Sequence, residues 1–325
     1  MSPIPPAADR PAADAGKLRK KLLRHLDAIE RAMGADAVLN QTFPNSRIVD
    51  YYDQCFDAYG KHHSPEGALH LSLNPDGKYH PDGLYGQPKE VERQMRERGA
   101  RDVLELAFGK GFNLAYLGGR FPQVNFEGID LTPRHVAHAR GEIEKRGLGN
   151  VRVQQADFQR LPFGDGQFDH LFCVCALCYT PDLRQALSEQ LRVLRPGGRI
   201  TLYDLYRTRP PQGYDPQEAA ATALVEKAMA VEQFAELEHI LTVAQSLGLK
   251  VVHNLDLSHA VMPNLLRFEK RFRAFFGIAA LARLMLSRQA PLRGKNAVAG
   301  LLMAPTLQLG LLRYGQLTFE KPAAA

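Results

Sequence analysis

Asp102-Val103-Leu104-Glu105-Leu106-Ala107-Phe108-Gly109-Lys110-Gly111-Phe112-Asn113 is the stretch on which the reading of this chain turns. A short strand-like run enters a turn with two glycines, and a helix-like run through Tyr116 and Leu117 follows. Glycines after a first strand let the backbone approach a ligand, and the helix start beyond them offers unpaired N–H groups. Taken alone, such a turn reads equally well as a tight bend. A dinucleotide fingerprint wants a third glycine at position 114, where this sequence has Leu114, which disfavours a nicotinamide-dependent oxidoreductase.

Downstream the pattern repeats. Strand-like runs at 124–130, 151–155, 168–177 and 199–205 alternate with helix-like runs at 133–146 and 183–194. Alternation at this spacing means βαβ units and a parallel sheet with helices on both faces. After a linker at 208–213, residues 216–248 read as helical up to Gly248, a fit for a C-cap. A sixth strand is expected at 250–257 and a last one at 314–321. Between them lies a long insertion, 258–310. It is rich in Phe268, Phe272, Phe275, Phe276, Leu281, Met285 and Leu286, interleaved with Arg267, Lys270, Arg271 and Arg273. That composition suits an apolar pocket whose arginines hold a phosphate or carboxylate, a membrane-facing surface, or a helical layer that completes the core.

Upstream, the Pro/Ala-rich residues 1–16 have no apolar core for a signal peptide and read as a disordered tail. Residues 17–33 form a basic amphipathic helix, with Leu18, Leu22, Leu26 and Ile29 on one stripe. Its basic face suits a membrane surface or plain solvent. A second helix, 48–59, carries Tyr51, Tyr52, Phe56 and Tyr59, and 60–87 is irregular. The expected organisation is a tail at 1–16, a helical lid segment at 17–100, and a domain at 101–325 whose acceptor cap lies at about 208–310.

The chain has 325 residues, 45% hydrophobic and 23% charged, which excludes a disordered chain, a collagen-like repeat and a disulfide-stapled mini-protein. Its 41 Lys+Arg against 35 Asp+Glu leave a net charge of +6, compatible with anionic ligands or an anionic membrane and too weak to argue nucleic acid. Cys173, Cys175 and Cys178 crowd into an apolar run without the paired spacing of a zinc site, so they read as buried hydrophobes and no metal is expected. Reduced thiols suggest the cytoplasm, with peripheral membrane contact and homo-oligomerisation left open.

Three further features place ligand chemistry at successive strand ends. Asp130 closes the second strand, where a carboxylate accepts both hydroxyls of a ribose; the blander role is a cap for the helix at Thr132-Pro133. Ala156-Asp157-Phe158 closes the third, an acid for an exocyclic amine and a ring for an adenine face, or an ordinary loop carboxylate. Leu194-Arg195-Pro196-Gly197-Gly198-Arg199 turns into the fifth strand.

In this order the motifs resemble those of the class I S-adenosylmethionine-dependent methyltransferases, over residues 101–206. The resemblance implies a doubly wound, seven-stranded α/β sheet, mostly parallel with an antiparallel last strand. It implies S-adenosylmethionine as cofactor, held by Glu105, Ala107, Gly109, Gly111, Asn113, Asp130, Leu131, Asp157, Phe158 and Cys175. Ala107 stands where the family usually has its first glycine, and Lys110 sits within the loop. Tyr51-Tyr52-Asp53, Tyr59-Gly60 and Leu69-His70-Leu71 are similar to the amino-terminal signature of the sterol and tocopherol C-methyltransferase branch, with Lys61 in place of its Trp.

The implied activity is methyl transfer to a small hydrophobic acceptor, a lipid, terpenoid or natural product. A non-catalytic nucleotide-fold module that binds a lipid or a protein is the rival. A hydroxyl acceptor benefits from a general base, and an alkene acceptor passes through a carbocation that aromatic faces stabilise. His70, Tyr51 and His259 are the leading catalytic candidates, with Tyr52 and Tyr179 beside them.

Overall fold

The structure, a computed structural model, describes residues 12–278 and 291–323. Three helices, α1 (Ala12–Met33), α2 (Asp36–Leu39) and α3 (Asn45–His62), lead through an irregular stretch to α4 (Gly86–Arg98). Strands and helices then alternate: β1 (Asp102–Leu106), α5 (Phe112–Arg120), β2 (Asn125–Asp130), α6 (Pro133–Lys145), β3 (Val151–Gln155), β4 (Phe168–Val174), α7 (Leu183–Val193) and β5 (Leu194–Arg207). The chain continues through α8 (Pro216–Ala228), α9 (Leu237–Ser246), β6 (Lys250–Asp256), α10 (Ser258–Phe276), α11 (Pro291–Gln308) and β7 (Leu312–Glu320).

The strands form one seven-stranded sheet in the order β3-β2-β1-β4-β5-β7-β6. β1 to β5 pair in parallel, and β7 runs antiparallel between β5 and β6. This is the doubly wound sheet expected from the sequence. Val103, Leu104 and Leu106 bury both faces of β1, as a central parallel strand must. Strand order reverses beside β1, where β2 and β3 lie on one side and β4 on the other. Open α/β sheets bind ligands in the crevice at that reversal.

One apolar core packs Val91, Met95, Leu114, Leu117 and Val136 on one side of the sheet and extends into the cap helices through Leu22, Ile29, Leu224, Val261 and Leu302. The other core packs Leu187 and Val193 of α7 and Ile240 and Val243 of α9. Residues 297–307 of α11 are all buried, as expected of a helix apolar on every side. A Cβ on Gly300 would stand 2.3 Å from the Phe272 ring, so α10 and α11 approach closely only because that residue is glycine. The described parts of the insertion, α10 and α11, therefore form a helical layer that completes the core. Its Leu281, Met285 and Leu286 lie outside the described residues.

Three sequence boundaries change. Residues 1–11 of the expected tail lie outside the described residues, and α1 begins at Ala12, ahead of position 17. The helix expected over 216–248 is two. Ala230 adopts a left-handed φ of 61°, and the Glu226 carboxylate takes the Phe234 N–H while pairing with Arg207 (2.8 and 2.7 Å). That buried pairing overrides local helix propensity. The sequence reading also passes over α4, which ends at Gly99 with φ 63°.

Candidate active site

In the turn after β1 every second residue is left-handed: Ala107 at φ 53°, Gly109 at 58° and Gly111 at 82°. A Cβ on Gly109 would come 2.8 Å from Leu69, and one on Gly111 would come 2.9 Å from Ala139. The turn is thus clamped between the segment after α3 and helix α6. Ala107 tolerates its conformation at a cost of about 1 kcal/mol.

Three carboxyl groups meet in the cleft above this turn. Glu105, near the end of β1, is buried and accepts from Asn113 Nδ2 through Oε1 (2.7 Å). Its Oε2 has no hydrogen-bond partner, and burial pushes its pKa up to about 8. Asp130 ends β2, with Oδ2 accepting from Gly109 N and Oδ1 from Thr132 N, each at 2.8 Å, and His135 Nδ1 3.3 Å from Oδ1. Asp157, beyond β3, accepts from Gln159 N at 2.8 Å and from Asn45 Nδ2 at 3.0 Å. The second contact brings the first turn of α3 onto the β3 loop.

The opposite wall is aromatic. Tyr52 donates to Tyr179 Oη (3.1 Å), which donates to the Met229 carbonyl (2.9 Å). The Tyr52 ring stands edge-on to His135 and to Tyr179, with centroids 5.3 and 5.8 Å apart. Burial holds both phenols well above their ordinary pKa, so they are donors and ring faces at neutral pH. Among the described residues that line the cleft there is no Lys or Arg. Lys110 turns aside, donating to the Phe56 carbonyl at 2.6 Å and lying over that ring, so it ties the glycine turn to α3.

Glu105, Ala107, Gly109, Asn113, Asp130, Leu131, Asp157, Phe158 and Cys175 all border this cleft, and Gly111 sits behind it as the N-cap of α5. Of the catalytic candidates, His70, Tyr52 and Tyr179 border it. Both His70 ring nitrogens face protein oxygens, Leu71 O at 3.3 Å and Asn113 Oδ1 at 3.2 Å, and burial lowers its pKa to about 4. The neutral ring has a single N–H and so donates to one of the two, linking the lid segment to its own backbone or to the donor loop. Tyr51 stands one layer back, hydrogen-bonded to Tyr59 at 3.1 Å. His259 is exposed at the start of α10, away from the cleft.

The cap contributes less than expected. Within 208–310 only Met229 borders the cleft among the described residues, and the α10 phenylalanines pack into the core cluster. Arg267, Lys270, Arg271 and Arg273 are exposed, so they do not anchor a ligand there. The wall comes instead from the lid: Asn45, Ile48, Tyr52, Tyr59, Leu69 and His70. Sequence reading missed Asn45, Tyr59 as a wall residue, and His135. Only the placement of His135 in the first turn of α6, beside Asp130, could have signalled it. The three cysteines of the β4 run are free thiols raised by burial, as expected of packing residues.

Residues 103–198 match the family described as a methyltransferase domain. The chain is 25% identical over 192 residues to 24-methylenesterol C-methyltransferase 2 of Oryza sativa subsp. japonica, covering 59% of this chain and 53% of that protein. It is 27% identical over 224 residues to methyltransferase GfsG of Streptomyces halstedii, covering 66% and 77%. The chain thus spans about half the length of the sterol relative. Among solved structures, the [4+2]-cyclase SpnF superposes with a TM-score of 0.69 at 20% identity, covering 87% of this chain and 100% of that one. No helix among the described residues is long and apolar enough to cross a membrane.

Proposed function

We propose that this chain, which carries a class I S-adenosylmethionine-dependent methyltransferase domain, transfers the methyl group of S-adenosylmethionine to a small apolar acceptor. One observation carries the reading. Glu105, Asp130 and Asp157, from three adjacent strands at the sheet's switch point, converge on a cleft lined, among the described residues, by no Lys or Arg and faced by tyrosines. Such a site suits a cationic, nucleoside-bearing ligand.

The residues fit that ligand. A carboxylate offers roughly four acceptor positions, so Asp130 and Asp157 retain capacity beyond their protein bonds for ribose hydroxyls and an adenine amine. The unpartnered Oε2 of Glu105 suits an ammonium group, and the left-handed turn brings main chain close without a side chain in the way. S-adenosylmethionine supplies a methyl group on positively charged sulfur, open to in-line attack. Tyr52 and Tyr179 line the same cleft, where a ring face would attract that charge. The lid segment covers the cleft and excludes water. Catalysis by these residues is mainly positioning, since burial makes His70 a weak base and keeps the phenols protonated.

Ile48, Leu69, Phe158, Pro181 and Met229 give the remaining wall its apolar character, which favours an acceptor held by contact area. The test is calorimetric titration with S-adenosylhomocysteine, in which Asp130→Ala and Asp157→Ala should each weaken binding about tenfold or more. Undiminished binding in Asp130→Ala would remove the ribose assignment.

A further inference from the structure

Away from the cleft, α1 and α10 lie side by side and turn unpaired cations to solvent. Lys21 Nζ and His25 Nε2 both bond Glu269, at 3.1 and 2.8 Å, and fix the seam between the two helices. At 3.6 residues per turn, that seam sets Lys17, Lys20 and Arg24 on the flank of α1 nearest α10. It sets Leu266, Lys270 and Arg273 on the facing flank of α10. Lys17, Lys20, Arg24, Lys270, Arg271 and Arg273 are all exposed. None has a carboxylate within salt-bridge distance among the described residues, whereas Arg93, Arg96, Arg120, Arg192 and Arg195 of the α/β domain are all paired. Two acids exposed on α1, Asp27 and Glu30, are engaged by Arg31 and by the Ala35 N–H.

Exposed hydrophobic side chains border these cations, Leu266 on the same flank of α10 and Leu23 one turn from Lys20 on the outer side of α1. Of the five large ones exposed among the described residues, Leu23 (45%), Leu266 (42%) and Ile278 (58%) belong to α1, to α10 and to the residues just after it. Protruding leucines within a field of free cations are what a helix lying at a lipid interface requires, whereas a polyanion alone asks only for the charge. The inner side of α10 leads back to the cleft: the Phe268 ring lies 5.5 Å from His63, which bonds the His70 carbonyl at 2.7 Å.

We propose that the α1–α10 face docks on a bilayer surface containing anionic lipid, with Leu23 and Leu266 entering the interface. This inference rests on the surface and stands apart from the methyl-transfer reading. Its test is sedimentation of the full chain with vesicles of phosphatidylcholine alone or mixed with phosphatidylserine. Binding should require the anionic lipid and weaken with salt. Each cation near such a surface is worth about fivefold in binding, so Arg24→Gln/Lys270→Gln/Arg273→Gln should reduce it on the order of 100-fold. Leu23→Ser/Leu266→Ser should weaken vesicle binding and leave heparin binding unchanged. Melting temperature and donor titration should stay as in the parent protein, which separates this test from that of the active site. Failure to bind anionic vesicles, or binding that ignores the three charge substitutions, would overturn the proposal. Vesicle binding indifferent to the leucines would also overturn it and assign the face to a soluble polyanion.

Discussion

Replacing Glu105 with Gln should make the free protein more stable at pH 8 and a poorer binder of its donor. The carboxyl is fully buried, with one oxygen bonded to Asn113 and the other unpartnered. Burial raises its pKa from 4.5 to about 8. Below pH 4.5 the group is protonated in folded and unfolded chains alike. Above that, the unfolded chain ionises while the folded site keeps its proton until about pH 8, so stability falls as pH rises across the window. At about 1.36 kcal/mol per pH unit, the ceiling is ~5 kcal/mol by pH 8. Water entering under the lid should reduce this to about 2 kcal/mol. Gln keeps the acceptor for Asn113 and resembles the protonated acid, so its stability should match the parent near pH 5 and exceed it at pH 8. Thermal unfolding of both proteins from pH 5 to 8 reads the difference directly, as a gap in melting temperature opening to about 3 °C. Taking the difference between the two proteins cancels the contribution of Asp204, whose burial raises its pKa to about 6 and acts in the same direction. Donor affinity should drop about tenfold or more, because a charge-assisted bond is lost. Parallel melting curves for the two proteins at every pH would refute the reasoning.

Gly300→Ala drives a methyl into the Phe272 ring at the α10–α11 contact and should cost about 1–3 kcal/mol, read by chemical denaturation. Ala107→Gly should raise stability by about 1 kcal/mol without loss of donor affinity, because it relieves the left-handed φ of 53°. His70 is neutral down to about pH 4, so the folded chain binds fewer protons than the unfolded one between pH 6.5 and 4, and stability falls as pH drops through that interval. His70→Gln should flatten that fall in acid melts. Tyr179→Phe leaves the Met229 carbonyl without its donor and should lower melting temperature by the equivalent of about 1–3 kcal/mol.

The sheet was legible because its signals are local: each parallel strand is a short apolar run closed by a turn, and Asp130 and Asp157 stand at strand ends by count alone. The cofactor side follows directly from that register, and every residue named for it borders the cleft or caps the helix beneath it. The opposite wall was legible only in part. Tyr52 and Tyr179 are 127 residues apart and meet through packing that no spacing rule encodes. The phenylalanines of 258–310 suggested a pocket, yet a helix apolar on all sides satisfies the same composition by burial. Asn45 was invisible for a similar reason. Its partner Asp157 lies 112 residues away, and only the fold of the lid over the cleft joins them.

The central claim is that this cleft holds a methyl donor and passes its methyl group to an apolar molecule. It is tested most directly by incubating the full chain with S-adenosylmethionine labelled in the methyl group and a panel of sterols, prenyl compounds and phenolics, then counting label in the organic extract. The account predicts label in an extractable product, lost in Asp130→Ala and strongly reduced in Glu105→Gln. A protein that binds the donor through Asp130 yet moves no label to any acceptor of the panel would contradict it.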